Sequence, residues 1–141
     1  MTRSYKTIKG GEIEIRAYIK RANELWRHAT QAYRGQDYDA CVILLIHSCI
    51  SLADAACLMH QGARYAGTSH DEAVQYFYDL GMPDDAFKRA CRRFGQIISE
   101  KTAAEYGGAN QTPKSAESIY KNSERFRVYL FETLLKKYYS P

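Results

Sequence analysis

Few side chains in this chain have the type and spacing to do chemistry. They are four histidines (His28, His47, His60, His70), four cysteines (Cys41, Cys49, Cys57, Cys91), Asp54 in an otherwise apolar stretch, and the segment Ser99-Glu100-Lys101-Thr102-Ala103-Ala104-Glu105-Tyr106-Gly107. A metal site needs ligands that converge at short spacing, either two histidines one turn apart or paired cysteines, and these residues offer neither. No nucleophile elbow or papain-like surround accompanies any Ser or Cys. Gly107-Gly108 lacks both the spacing and the preceding strand of a phosphate loop. No metal and no cofactor are therefore expected. Cys41, Cys49 and Cys57 recur every eight residues. Along one helix that puts neighbours about 12 Å apart, too far to bridge, so they read as small apolar side chains in a reducing, cytoplasmic protein.

What remains is Lys101. It falls on the flank of an apolar helical stripe, near the directions of Ala90 and Phe94, and an inward-leaning lysine needs an anion. Three readings follow: its stem covers apolar surface while the ammonium reaches water, it pairs with Asp54, or it holds a ligand's phosphate. Tyr106 lies about 140° further round an ideal helix and converges with Lys101 only if the helix unwinds before Gly107. His70 stands in the first turn of a capped helix, exposed or bonded to a backbone carbonyl, and is the alternative base. His47 reads as a core imidazole bonded to Ser51 or Asp54. Asp54 either holds Lys101 in place or is itself an acid in a cleft. Lys88, Arg89, Arg92 and Arg93 form a solvated face or, functionally, a phosphate-tracking stripe continuous with Lys101.

Helices must position these groups. The 141 residues include 12 Tyr but only 3 Val and 3 Pro, and Lys plus Arg number 20 against 16 Asp plus Glu. That size suits one core, the scarcity of β-branched and breaker residues favours helix, and the small positive charge permits an anionic partner without demanding one. Ile15, Ile19, Ala22, Trp26 and Ala29 give an amphipathic helix over about 12–34. A second helix, capped by Asp37 or Asp39 and stopped by Gly62, is apolar around most of its circumference, so it should be central, with a polar track of His47, Ser51 and Asp54. Its small residues Ser48, Ser51, Ala55 and Ala56 let another helix approach. Ser69-His70-Asp71-Glu72 has the form of a capping box before a short third helix. Phe87, Ala90, Cys91, Phe94, Ile97 and Ile98 mark a fourth. Thr112-Pro113 opens the last, which should run to about Tyr138. No strand pattern, signal peptide or membrane span is expected. The reading is all-α: a polar N-terminal segment at 1–11, then a single domain at 12–139, an antiparallel up-and-down four-helix bundle with one additional short helix.

Three pieces together resemble the HEPN domains. They are Gly35-Gln36-Asp37-Tyr38-Asp39-Ala40 leading into the helix with Leu52-Ala53-Asp54-Ala55, then Gly67-Thr68-Ser69-His70-Asp71-Glu72-Ala73-Val74, then Lys101-x-x-Ala104-Glu105-Tyr106 before a helix containing Ser123-Glu124-Arg125-Phe126. The resemblance spans roughly residues 12 to 135. It implies a helical bundle, often a homodimer, and in active members a ribonuclease whose arginine and histidine line a cleft at the dimer interface. Many such proteins are toxins paired with a nucleotidyltransferase-like antitoxin. Here Lys101 stands where the arginine is expected and Tyr106 where the histidine is expected. Lysine loses the planar fork, and tyrosine, with a reference pKa near 10, is a poor acid or base at neutral pH. The resemblance therefore implies an RNA- or nucleotide-binding protein in which Lys101 and Tyr106 contact phosphate, before an efficient nuclease. The alternatives are an endoribonuclease using His70 or Tyr106, and an interaction module whose Tyr-rich surface, including Tyr138 and Tyr139, docks a partner.

Overall fold

The structure is a computed structural model in which residues 4–139 are described. They are mainly α-helical: α1 (Glu12–Arg34), α2 (Tyr38–Gln61), α3 (His70–Tyr78), α4 (Asp85–Ser99), α5 (Lys101–Tyr106) and α6 (Pro113–Glu132), followed by a 3₁₀ turn at Lys136–Tyr138. The expectation of no strand is corrected. β1 (Thr7–Lys9) pairs antiparallel with β2 (Ala63–Tyr65), setting Thr7 opposite Tyr65, Ile8 opposite Arg64 and Lys9 opposite Ala63. Three-residue strands are too short to write an alternating pattern, and every residue of β1 is exposed, so hydropathy gives no sign of it.

α2 is the centre. Cys41, Val42, Leu45, Ile46, Cys49, Leu52, Ala55 and Ala56 are all but inaccessible, because α1 packs along one side, α6 along another, and β2, α4 and α5 cover the rest. The close approach of α1 depends on small side chains at the contact: Ala22 is fully buried, and Ser48 Oγ donates to the Ala22 carbonyl at 2.9 Å. By length and composition α2 is apolar enough to cross a membrane, but 72% of its most apolar window is covered within the protein. A ring cluster joins the other helices: Phe77 of α3 meets Phe87, Phe94 and Phe126, and Phe94 stacks on Phe126 at 5.3 Å.

Two boundaries and one cap differ from the sequence pattern. The fourth helical segment breaks at Glu100, so Lys101 begins a helix of its own. The last helix stops at Glu132, where Thr133 turns its hydroxyl back to the Tyr129 carbonyl, and the turn that follows drives Leu134 and Leu135 into the core. Asp37 is the N-cap residue of α2 but makes no side-chain cap bond, and Asp39 instead binds Asn110 Nδ2 and the Gln111 amide at 2.8 and 2.7 Å, tying down the loop after α5. The Thr112 cap forms as read, completed by Ser115.

Candidate functional site

A cleft of about 370 Å³ opens between α2, β2, α3, α4 and the start of α5. Ile50, Ala53, Asp54 and Cys57 form its α2 wall, Arg64 and Tyr65 its β2 edge, and residues 66–69 its rim. His70, Ala73 and Tyr76 come from α3, Phe94 and Ile98 from α4, and Lys101 from α5. Asp54, His70 and Lys101, selected from sequence as separate candidates, thus face one space. Tyr106 does not: α5 keeps its helical turn to the end, and the ring is 81% exposed outside the cleft.

The rim is built around the Tyr65 hydroxyl. It accepts from the Ser69 amide at 3.0 Å and donates to Glu72 Oε1 at 3.0 Å, while Ser69 Oγ accepts from the Glu72 amide at 3.1 Å. The expected capping box is therefore half direct and half relayed: Glu72 reaches the Ser69 amide only through the phenol. Gly67 is needed for this approach, since a Cβ there would lie within 2.2 Å of the Tyr65 oxygen. β1 holds the other end of the rim, with the Ala66 amide donating to the Lys6 carbonyl at 2.8 Å, and Tyr5 sets its ring edge-on to Tyr65 and Tyr76.

Asp54 is the electrostatic anomaly. Burial pushes its carboxyl from an ordinary 3.8 up to about 7, although the Arg64 and Arg21 guanidiniums work in the opposite direction. Among the described residues, no donor stands within hydrogen-bond or ion-pair distance of it. Arg64, which sequence reasoning missed, donates to the Tyr65 carbonyl at 3.2 Å and lies 5.5 Å over the Tyr18 ring, with no carboxylate bonded to it among the described residues. Its only signal in the sequence was a cation two residues past the Gly62 helix stop.

Lys101 does not pair with Asp54, the partner that one of its three readings gave it. Its ammonium pairs with Glu105 at 3.1 Å, one turn along α5, and the His47 imidazole shares that carboxylate at 2.9 Å. Burial acts to raise the Glu105 carboxyl, but the bonds from His47 and Lys101 outweigh it and hold the group below its usual range. The reading of His47 as a core imidazole bonded to Ser51 or Asp54 is corrected: its side chain is 42% exposed and turned to α5. Lys101, at 28% exposure, lines the cleft while its ammonium is engaged by Glu105. His70 is half-buried on the rim, and its imidazole makes no hydrogen bond among the described residues.

The α4 cations lie elsewhere. Lys88 and Arg92 flank a groove against α3, while Arg93 turns to α6 and donates to Asn122 Oδ1 at 3.0 Å. Burial, then Arg125, Arg89 and Arg92 nearby, hold the Arg93 guanidinium below its ordinary range, and among the described residues none of these cations has a carboxylate partner. None of them lines the cleft. Tyr138 donates to Glu12 Oε2 at 2.6 Å, whereas Tyr139 is 54% exposed. All four cysteines are buried and free, and burial pushes the thiols up, to about 11 for Cys41 and about 12 for Cys49 and Cys91, so none is poised as a nucleophile. Among the described residues no three His, Cys, Asp or Glu side chains converge as a metal site would require. No family model matches the chain, and no curated protein matches it closely enough to count as a relative.

Proposed function

We propose that this protein is a HEPN-like nucleotide-binding domain, an up-and-down four-helix bundle of α1, α2, α4 and α6 that takes one nucleotide unit, free or within an RNA strand, into the cleft beside α2. One observation carries the reading: Asp54, Arg64, His70 and Lys101 line a single cleft whose other walls are the rings of Tyr65, Tyr76 and Phe94. Flat apolar walls with a few polar groups suit a base, and the two cations in the lining suit its phosphate. Arg64, with no acid bonded to it, is the better phosphate ligand, and Lys101 contributes the donors that Glu105 leaves over.

Efficient RNA cleavage is not part of the reading. Tyr106 lies outside the cleft, and no arginine stands at the Lys101 position; Asp54 and His70, the titratable groups that line the cleft, are read as binding groups. The test is calorimetric titration with the four ribonucleoside monophosphates, alongside end-labelled single-stranded RNA followed for both retention and shortening. Saturable binding of mononucleotide or RNA without shortening is expected. Rapid shortening abolished by Lys101→Ala but not Arg92→Ala would establish an endoribonuclease in its place, and absence of any binding at millimolar nucleotide would overturn the proposal.

A further inference from the structure

The cleft is lined by two cations, Arg64 and Lys101, and by one carboxylate, Asp54, and the two kinds of charge make different demands on a ligand. Arg64 and Lys101 favour an anion. Asp54 favours N–H donors: its half-buried carboxylate has no hydrogen-bond partner among the described residues, only the solvent that enters the cleft, and burial raises the cost of its charge. A planar pair of adjacent donors would satisfy both oxygens at once. Guanidinium groups have such a pair, but a cationic ligand would enter against Arg64, Arg21 and Lys101. Among the nucleobases, guanine alone sets two donors, N1–H and the N2 amino group, side by side on its pairing edge. Adenine and cytosine offer one donor beside an acceptor, and uracil one donor between two acceptors.

Building on the nucleotide reading of this cleft, we infer that the site selects guanine, with Asp54 accepting the N1–H and N2–H pair and Arg64 and Lys101 taking the phosphate. Asp54 is then the residue that sets specificity. Tyr65 and Tyr76 bound the space in which the ring lies, and the ring's neutral donors relieve the carboxylate without adding charge.

The experiment compares GMP, IMP, AMP, CMP and UMP, with arginine methyl ester as the cationic fork, by calorimetry at pH 8 on the wild-type chain and on Asp54→Asn. GMP is expected to bind at least about tenfold more tightly than AMP, CMP or UMP, with IMP, which lacks the 2-amino group, in between. In Asp54→Asn, whose amide presents one acceptor beside one donor, the GMP advantage collapses while AMP and CMP bind as tightly as before or more tightly. The ranking of GMP against IMP needs no variant, so the inference stays testable if Asp54→Asn fails to fold. Equal affinities for all five nucleotides overturn guanine selection and leave nucleotide binding standing. Tighter binding of arginine methyl ester than of GMP assigns the carboxylate to a cation and overturns it too. Binding of none removes the function on which the inference rests.

Discussion

Asp54 sits where a carboxylate costs most, in a half-closed apolar wall with only distant guanidiniums to offset it. Its folded-state pKa lies above the unfolded value. Between about 4 and 7 the folded chain therefore holds a proton that the unfolded chain has lost, and stability falls as pH rises through that window and levels off above it. Asp54→Asn removes the titration. At pH 8 the variant should be more stable by about 2 kcal/mol, allowing for the solvent that reaches the open cleft, and near pH 4 the two proteins should match. Urea denaturation at the two pH values measures this, and parallel pH profiles would show that the carboxylate costs the fold nothing. Asp54 was legible in the sequence because one acid amid Leu52, Ala53, Ala55 and Ala56 has no innocuous place to go. The partner of Lys101 is not legible there, because the helix break at Glu100 that starts α5 at Lys101 and sets Glu105 one turn along it leaves no mark in the apolar stripe.

At the level of elements, the cleft is held open by contacts between segments far apart in the chain. Gly67→Ala puts a methyl against the Tyr65 hydroxyl, which is fixed by Ser69 and Glu72 and cannot swing aside freely. A loss of about 1 kcal/mol in thermal stability is expected, with nucleotide affinity falling several-fold while helical circular dichroism is unchanged. Unaltered affinity would mean the rim does not shape the site. Thr112→Ala, by contrast, removes the N-cap bond of α6 remote from the cleft. It should lower stability by about 1 kcal/mol and leave affinity alone. The helices themselves were readable from their 3.6-residue stripes and caps. The hairpin was not, since three exposed residues of β1 carry no periodic signal, and with it went Arg64 and Tyr65, whose positions β1 fixes. Tyr106 was uncertain for a different reason: whether α5 unwinds before Gly107 is decided by its packing on α2, which no local pattern records.

At the scale of the whole molecule, two groups of cations bear on an RNA partner: a pair at the cleft, and a cluster of Arg89, Arg92, Arg93 and Arg125 spread over α4 and α6 away from it. If RNA follows that cluster to the cleft, replacing Arg89, Arg92 and Arg93 by Gln should weaken single-stranded RNA binding and reduce the slope of log affinity against log salt by about two. GMP affinity should not change. An unchanged slope for RNA would make the cluster an ordinary solvated face. The HEPN-like reading also carries a second copy of the chain, so sedimentation should give a particle of twice the 16.2 kDa chain mass. A species at the single-chain mass would remove the homodimer from that reading.

The hairpin has a bearing on the order in which the molecule comes together. Pairing Thr7 with Tyr65 closes a loop of roughly sixty residues, most of them in α1 and α2, so the cost of bringing its ends together is met only after those two helices have docked. The edge that borders the cleft is thus the last piece to zip and the first to fray. The Ala66 and Gly10 amides, which bond across that seam, should exchange with deuterium well before the amides at the middle of α2, and a bound nucleotide should slow them selectively.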